Sequence, residues 1–292
     1  MSTIAFIGLG NMGGPMAANL VRAGHRVLGA DLSADLCKQA AADGVTIAET
    51  GAAAAEADVV VSMLPAGAAV LHVWGAALKK ARPGTLFIDS STIDVESARR
   101  AHALAAGAQM ISLDAPVSGG VGGAKTATLT FMCGGADAAF AAAKPILEKM
   151  GKKVVHCGVG GAGQAAKICN NMILGATMIV TAEAFVLAEK LGLSHQALFD
   201  VASTSSGQSW SLTSYCPAPG PVPTSPANND YKPGFAAALM LKDLRLSQEA
   251  AQAAGAATPL GAAATQLYAL FNAAGNAGAD FSGIIRMLRG DV

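Results

Sequence analysis

Charge is scarce in this sequence. Only 14% of its 292 residues are Asp, Glu, Lys or Arg, and 20 basic and 20 acidic side chains cancel to a formal net charge of zero. No basic block stands out, which argues against a nucleic-acid partner. Cysteine is sparse too: Cys37, Cys133, Cys157, Cys169 and Cys216 are widely scattered and form no C-x-x-C. Such spacing supplies neither a disulfide framework nor a zinc site, and no metal is expected. The stretch MSTIAFIGLG has no charged segment before its apolar residues, so it does not read as a signal peptide. A membrane span needs roughly 20 apolar residues. The longest apolar run, from Met172, meets Glu183 after eleven. These absences leave a cytoplasmic or organelle-matrix protein without membrane partners as the expectation, cytoplasmic being the location adopted.

What is present is apolar bulk and glycine: 52% hydrophobic residues and 34 glycines. That profile suits a well-buried α/β or α-rich protein and not a disordered one. The length suggests about two domains. From residue 3 to about 158, short apolar runs alternate with alanine-rich helical stretches. TIAFIGLG, RVLGAD, DVVVSMLP, TLFIDSS, MISLDAPVS, TLTFMCGG and KKVVHCG read as strands, and 14–23, 33–42, 67–80, 94–106 and 137–150 as helices. The alternation predicts an α/β fold with a Rossmann-like, doubly wound and largely parallel sheet. Ligands of that architecture sit at the carboxyl ends of the strands, so MLP, SST and PVSGG are expected to share one crevice.

Gly8-Leu9-Gly10-Asn11-Met12-Gly13 fits G-x-G-x-x-G between a strand and a helix. Glycines there allow a tight turn and let the backbone approach a pyrophosphate at the helix N-terminus. The next strand ends at Asp31, 18 residues after Gly13. A carboxylate at that place accepts from a ribose 2′-hydroxyl and repels a 2′-phosphate, and Leu32 and Ser33 supply no arginine. NAD is therefore the expected cofactor, against the plainer reading that Asp31 only N-caps a helix near Ser33. Asp114 to Gly120, DAPVSGG, reads either as a cradle for a carboxylate or as an ordinary glycine turn.

Beyond Gly163 the strand pattern fades and helices are predicted at 164–190, 194–203, 235–254, 259–274 and 280–289. The expected domains are 1–162, binding the dinucleotide, and an all-α domain 163–292 for substrate and assembly. CPAPGPVPTSPANNDYKPG (216–234) holds six of the 12 prolines and reads as a surface loop. The 164–190 helix looks buried on most faces, yet its first turns carry Lys167, Asn170 and Asn171. Lys167 and Asn171 are four apart and share a face. A desolvated amine has a lowered pKa and can exchange a proton with a substrate hydroxyl, which Asn171 would orient. The alternative is a lysine snorkelling at a helix start beside two solvated amides.

Motifs along essentially the whole chain resemble the 3-hydroxyisobutyrate dehydrogenase branch of the β-hydroxyacid dehydrogenase family. They are FIGLGNMGGPMAANL (6–20), MLP (63–65), DSSTID (89–94), DAPVSGGVGGAK (114–125), LTFMCGG (129–135), GQAAKICNNM (163–172), SSGQSW (205–210), and GF with LMLKDL (234–244). The resemblance implies a Rossmann domain, an all-helical C-terminal domain and a long helix joining them. It implies Lys167 as catalytic acid/base, Ser118, Gly119 and Gly120 on the substrate carboxylate, and Asn171 positioning the substrate. Gly8, Leu9, Gly10, Asn11, Met12, Gly13 and Asp31 would hold the adenosine half and pyrophosphate. Leu64, Pro65 and Thr92 would line the nicotinamide side, with Lys242 approaching the cofactor. Phe235, Trp210 and Asp243 would close or support the pocket, although core packing explains Trp210 equally well. Ala69 departs from the family, whose members often carry asparagine there. The implied reaction is NAD-dependent oxidation of 3-hydroxyisobutyrate to methylmalonate semialdehyde, in a homodimer or homotetramer. Rival readings are a related enzyme acting on L-serine, glycerate, tartronate semialdehyde or another small semialdehyde, and a non-catalytic dinucleotide-binding module. A 6-phosphogluconate enzyme is disfavoured, for no basic cluster suits a sugar phosphate.

Overall fold

A computed structural model describes residues 1–291, and the chain divides into two compact units, Met1–Lys167 and Ile168–Val292. In the first unit β1 (Thr3–Ile7), β2 (Arg26–Ala30), β3 (Thr46–Ile47), β4 (Val59–Ser62), β5 (Leu86–Asp89), β6 (Ile111–Asp114), β7 (Val117–Ser118), β8 (Leu129–Gly134) and β9 (Gly151–Gly158) form one sheet. Its order is β3-β2-β1-β4-β5-β6-β8-β7, with β9 also paired to β8. Alternate side chains of each strand feed cores on opposite faces. Ile4, Phe6 and Ile88 join Met16 and Leu20 on one face, while Ala5, Ile7 and Phe87 join Val60 and Trp74 on the other. The sheet is thus covered on both sides, as the near-continuous apolar strands require. Strand order reverses between β1 and β4, which places the ends of those strands at the topological switch point.

Strands β1 to β6 run parallel, but β8 is antiparallel to β6 and β7. The reason is the connection. A parallel crossover takes about a dozen or more residues, and only residues 119–128, with the short helix Gly120–Thr126 among them, lie between β7 and β8. The chain therefore turns back along β6 and β7, which Pro116 separates because it has no N–H to donate. The helix Asp137–Leu147 then supplies a crossover, and β9 lies parallel to β8. Short β3, the helix Thr50–Glu56 and the helix Gly120–Thr126 are elements that the sequence pattern does not announce.

The long helix spans Ala162–Lys190, and after it the second unit is helical: His195–Ala202, Trp210–Thr213, Ala237–Ala254, Pro259–Phe271 and Ile284–Arg289. Its core gathers Met178, Phe185, Leu244, Tyr268 and Phe271. Three expectations need correcting. The helix predicted at 259–274 ends at Phe271, and a π turn follows in which Gly275 takes φ +90°. The proline-rich segment is not a bare surface loop, since Cys216, Ala218, Val222, Ala227 and Tyr231 are buried in the core. The Tyr231 hydroxyl donates to the Pro217 carbonyl (2.8 Å) and Ser225 Oγ to that of Cys216 (2.6 Å). Lastly, the long helix is not buried on most faces: Ile173, Val180 and Leu187 are 61%, 58% and 59% exposed. Its length and apolar composition would suffice to cross a membrane, yet Met178, Ile179, Ala182 and Phe185 from it belong to the second unit's core.

Candidate active site

The glycine loop leaves β1 at Gly8, whose φ of +95° suits glycine alone among unstrained choices. A Cβ on Gly8 would fall 2.2 Å from the Met63 carbonyl oxygen, and one on Gly13 would fall 1.9 Å from that of Gly8. These two glycines bring the strand end, the helix Gly13–Arg22 and the end of β4 into contact. Gly10 differs, because nothing lies within 4 Å of a Cβ built there. Its backbone stays open to an approaching phosphate at a helix N-terminus, so the residues present fit a dinucleotide.

Asp31 stands just past β2. Its Oδ2 accepts from the Leu9 N–H (2.7 Å) and its Oδ1 from the Ser33 N–H (2.8 Å). The cap of the following helix is Ser33, whose Oγ accepts from the Leu36 N–H, so the capping alternative for Asp31 is set aside. A carboxylate oxygen has room for further bonds. Asp31 thus holds the glycine loop and retains capacity for a ribose hydroxyl.

The MLP and SST segments are tied together beneath the surface. Ser62 Oγ (2.7 Å) and Ser91 Oγ (2.6 Å) both donate to Asp89 Oδ1, and Trp74 Nε1 donates to Ser62 Oγ (3.0 Å). Ser91 Oγ in turn accepts from the Leu64 N–H (2.8 Å). Asp89 is buried, its Oδ2 has no hydrogen-bond partner among the described residues, and burial pushes its carboxyl up to about 6 against the two serine hydroxyls. Leu64 and Thr92 are half-buried above this ladder, and Pro65 is exposed. Thr92 stands out in the sequence within DSSTID; Asp89 of the same motif does not, although an aspartate closing a buried strand is itself a signal.

In the DAPVSGG turn, Val117–Ser118 pairs with β8 while Gly119 and Gly120 take φ of +131° and +59°. Side chains there would be strained, so the backbone of the turn is left bare beside the half-buried Ser118. Lys167 is 6% exposed, and its Nζ donates to the Val117 carbonyl at 2.9 Å. The amine is therefore sunk and aimed at the residue before Ser118, contrary to the snorkelling alternative.

One turn further along the same helix Asn171 is 2% exposed, and Asn170 is exposed. In the second unit Asn171 Nδ2 donates to Asp243 Oδ2, and Asn171 Oδ1 accepts from Asn170 Nδ2. Lys242, half-buried, sits beside Asp243 on the helix Ala237–Ala254. Trp210 is 52% exposed and stacks on Tyr215 at 5.0 Å, so it is not a core residue. Buried Asp280 holds this neighbourhood: its Oδ2 accepts from Tyr215 Oη and from the Gly234 and Phe235 N–H groups. Burial, with Asp280 adding to it, pushes the Tyr215 phenol up. Neither Tyr215 nor Asp280 was singled out from the sequence.

Comparison with known proteins agrees across the whole length. Residues 3–158 match the model described as the NAD binding domain of 6-phosphogluconate dehydrogenase. Residues 161–288 match the model for the NAD-binding of NADP-dependent 3-hydroxyisobutyrate dehydrogenase. The 3-hydroxyisobutyrate dehydrogenase of Pseudomonas aeruginosa is 48% identical over 99% of both chains. An NAD-dependent L-serine dehydrogenase of the same organism is 47% identical over 97% of this chain and 96% of its own. A solved Mycobacterium tuberculosis 3-hydroxyisobutyrate dehydrogenase with L-serine superposes with a TM-score of 0.97, at 57% identity and 99% coverage of both chains.

Proposed function

Because this chain belongs to the 3-hydroxyisobutyrate dehydrogenase family, we propose that it oxidises 3-hydroxyisobutyrate to methylmalonate semialdehyde with NAD, a step of valine catabolism. The cofactor is NAD. One matching model takes its description from an NADP-dependent enzyme, but here a carboxylate, Asp31, follows directly on β2 and opposes a 2′-phosphate. Bound NAD⁺ supplies the carbon that takes the hydride from the hydroxyl-bearing carbon of the substrate. The glycine loop from Gly8 to Gly13, with Leu9, Asn11 and Met12, carries the pyrophosphate. Leu64, Pro65 and Thr92 flank the nicotinamide, and Lys242 serves the cofactor from its own helix.

The reading rests chiefly on the buried Lys167 amine, 2.9 Å from the carbonyl of the residue that precedes Ser118. Ser118, Gly119 and Gly120 hold the substrate carboxylate through the Ser118 hydroxyl and bare backbone N–H groups. Lys167, neutral when it acts, accepts the hydroxyl proton; Asn171 orients the same hydroxyl. Anchoring the carboxylate fixes the distance to the reacting carbon, and such orientation supplies much of the rate. L-Serine has an ammonium where 3-hydroxyisobutyrate has a methyl and shares the carboxylate and the primary hydroxyl. Both therefore present the two groups that this site is proposed to bind, and steady-state rates with NAD⁺ on 3-hydroxyisobutyrate, L-serine and glycerate decide the assignment. The highest kcat/KM is expected on 3-hydroxyisobutyrate; a preference for L-serine or glycerate would move the chain to a sister activity, and no turnover on any would favour a non-catalytic module.

In this reading residues 1–162 bind the dinucleotide in the cytoplasm and 163–292 serve substrate binding and assembly. Ile173, Val180 and Leu187 recur every seven residues on one helix and stay exposed, which supports a homodimer or homotetramer in which a second copy covers them. Light scattering should give a multiple of the 29.0 kDa chain mass; a monomer would remove the oligomer from the account.

A further inference from the structure

The start of the long helix is capped from far away in the sequence. A helix leaves its first N–H groups without intrahelical partners, and a side chain just before it normally satisfies them. Here the cap is Asp114, the last residue of β6. Its Oδ1 accepts from the Gly161 N–H at 2.7 Å and its Oδ2 from the Gln164 N–H at 2.9 Å. His102 Nε2 lies 2.8 Å from the same Oδ1, and His102 Nδ1 lies 2.7 Å from Ser112 Oγ. The Ser112–His102–Asp114 row has the outline of a nucleophile relay. Its surroundings argue otherwise, for a Cβ on Gly160 would come within 2.7 Å of the His102 ring and the carboxylate is already spent on the helix. The row is an anchor.

A second attachment follows one turn along, where Lys167 Nζ meets the carbonyl of Val117, three residues after Asp114. Contacts from the end of β6 and from the start of β7 to successive turns of the helix fix both its rotation about its axis and its position along it. The Gln164 side chain makes a third. Its Nε2 donates to the Ser91 carbonyl (2.7 Å) and its Oε1 accepts from the Ile93 N–H (3.2 Å), on either side of Thr92. There is no slack in the packing: a Cβ on Gly163 would come 2.3 Å from the Met132 carbonyl oxygen, and one on Gly134 would come 2.5 Å from Asp114 Oδ1.

We propose that Asp114 and Gln164 are positioning residues that hold Lys167 in register with the Val117–Gly120 turn and the Ser91–Ile93 segment, an inference that rests on the acid/base reading of Lys167. Misplacing a reacting group by about 1 Å can cost on the order of 10²-fold in rate. Asp114 sets the lysine against the carboxylate cradle, and Gln164 sets it against the nicotinamide side.

The test compares Gln164→Met, which keeps the length and loses both amide bonds, with Gln164→Glu, which can still accept from Ile93 and, buried and protonated, can also donate to Ser91. In the protein without cofactor, hydrogen exchange at the Ile93 amide should speed up in Gln164→Met and not in Gln164→Glu. With NAD⁺ and 3-hydroxyisobutyrate, kcat should fall at least about tenfold in Gln164→Met and less in Gln164→Glu. The isotope effect from substrate deuterated at the hydroxymethyl carbon should grow, while the Kd for NAD⁺ by fluorescence stays within about threefold. A Gln164→Met protein with faster Ile93 exchange but unchanged kcat and isotope effect overturns the inference. Should Gln164→Met fail to fold, full activity with an unchanged isotope effect in Gln164→Ala, which also loses both amide bonds, overturns it equally. Lys167→Ala separates the two claims, since its retained activity sinks the acid/base reading whatever Gln164→Met does.

Discussion

Asp89 should make the first unit less stable as pH rises, and Asp89→Asn should abolish that dependence. The carboxyl titrates at about 6 in the folded chain, against an ordinary value of 3.8, with burial as the main cause. Below 3.8 both folded and unfolded forms are protonated and no penalty exists. Between 3.8 and about 6 the unfolded chain releases the proton first, so stability is lost as pH rises through the folded value. Above that window the loss is complete, and at 1.36 kcal/mol per pH unit it comes to about 3 kcal/mol. Asparagine keeps an oxygen for the Ser62 and Ser91 hydroxyls and carries no charge at any pH. Its buried amide adds a constant cost of roughly 1–3 kcal/mol, so the informative quantity is a difference between pH values. Urea melts of Asp89→Asn and its parent, both with Trp210→Phe, follow this unit through the fluorescence of Trp74, whose indole donates into the same network. The stability of the asparagine variant relative to the parent should rise by up to about 3 kcal/mol between pH 4 and pH 7. A relative stability that stays flat across that range would refute the reasoning.

Asp31→Asn should narrow the preference for NAD⁺ over NADP⁺ in kcat/KM by at least about tenfold, because it removes one charge-assisted bond and the repulsion of a 2′-phosphate. An unmutated protein that uses NADP⁺ equally well would refute the role of Asp31. Gly120→Ala, at φ +59°, should strain the turn by about 1–2 kcal/mol and raise KM for the acid while Kd for NAD⁺ holds. A normal KM in that variant would place the carboxylate elsewhere.

Much of this architecture was legible because apolar strands, a glycine turn and a terminal aspartate are local signals. β1, β2, β4 and β5 follow from runs such as TIAFI and LFID, whereas their order is seen only in the folded sheet. The reversal at β8 was harder, since it depends on how little chain lies between Ser118 and Leu129 and not on the residues of either strand. Lys167 was conspicuous as a charge within an apolar helix. What buries it could not be read, because Val117 lies 50 residues away in sequence. Asp114 and Gln164 stayed hidden for the same reason: a cap drawn from a distant strand leaves no capping pattern beside the helix. The exposed Ile173, Val180 and Leu187 show the converse, since apolar composition alone does not say which face a single chain covers.

The rate of Lys167→Ala under saturating NAD⁺ and 3-hydroxyisobutyrate bears most directly on the central claim. General acid/base assistance contributes typically about 10²–10⁴-fold. Removing the amine also frees the Val117 carbonyl from a 2.9 Å bond, so circular dichroism and the Kd for NAD⁺ must be measured on the same preparation. A drop in kcat of at least about 10²-fold, with fold and NAD⁺ affinity nearly unchanged, is the predicted result. Lys167→Arg should fail almost as badly, because a guanidinium stays protonated and cannot accept the proton. A folded Lys167→Ala protein that keeps most of its activity would contradict the mechanism.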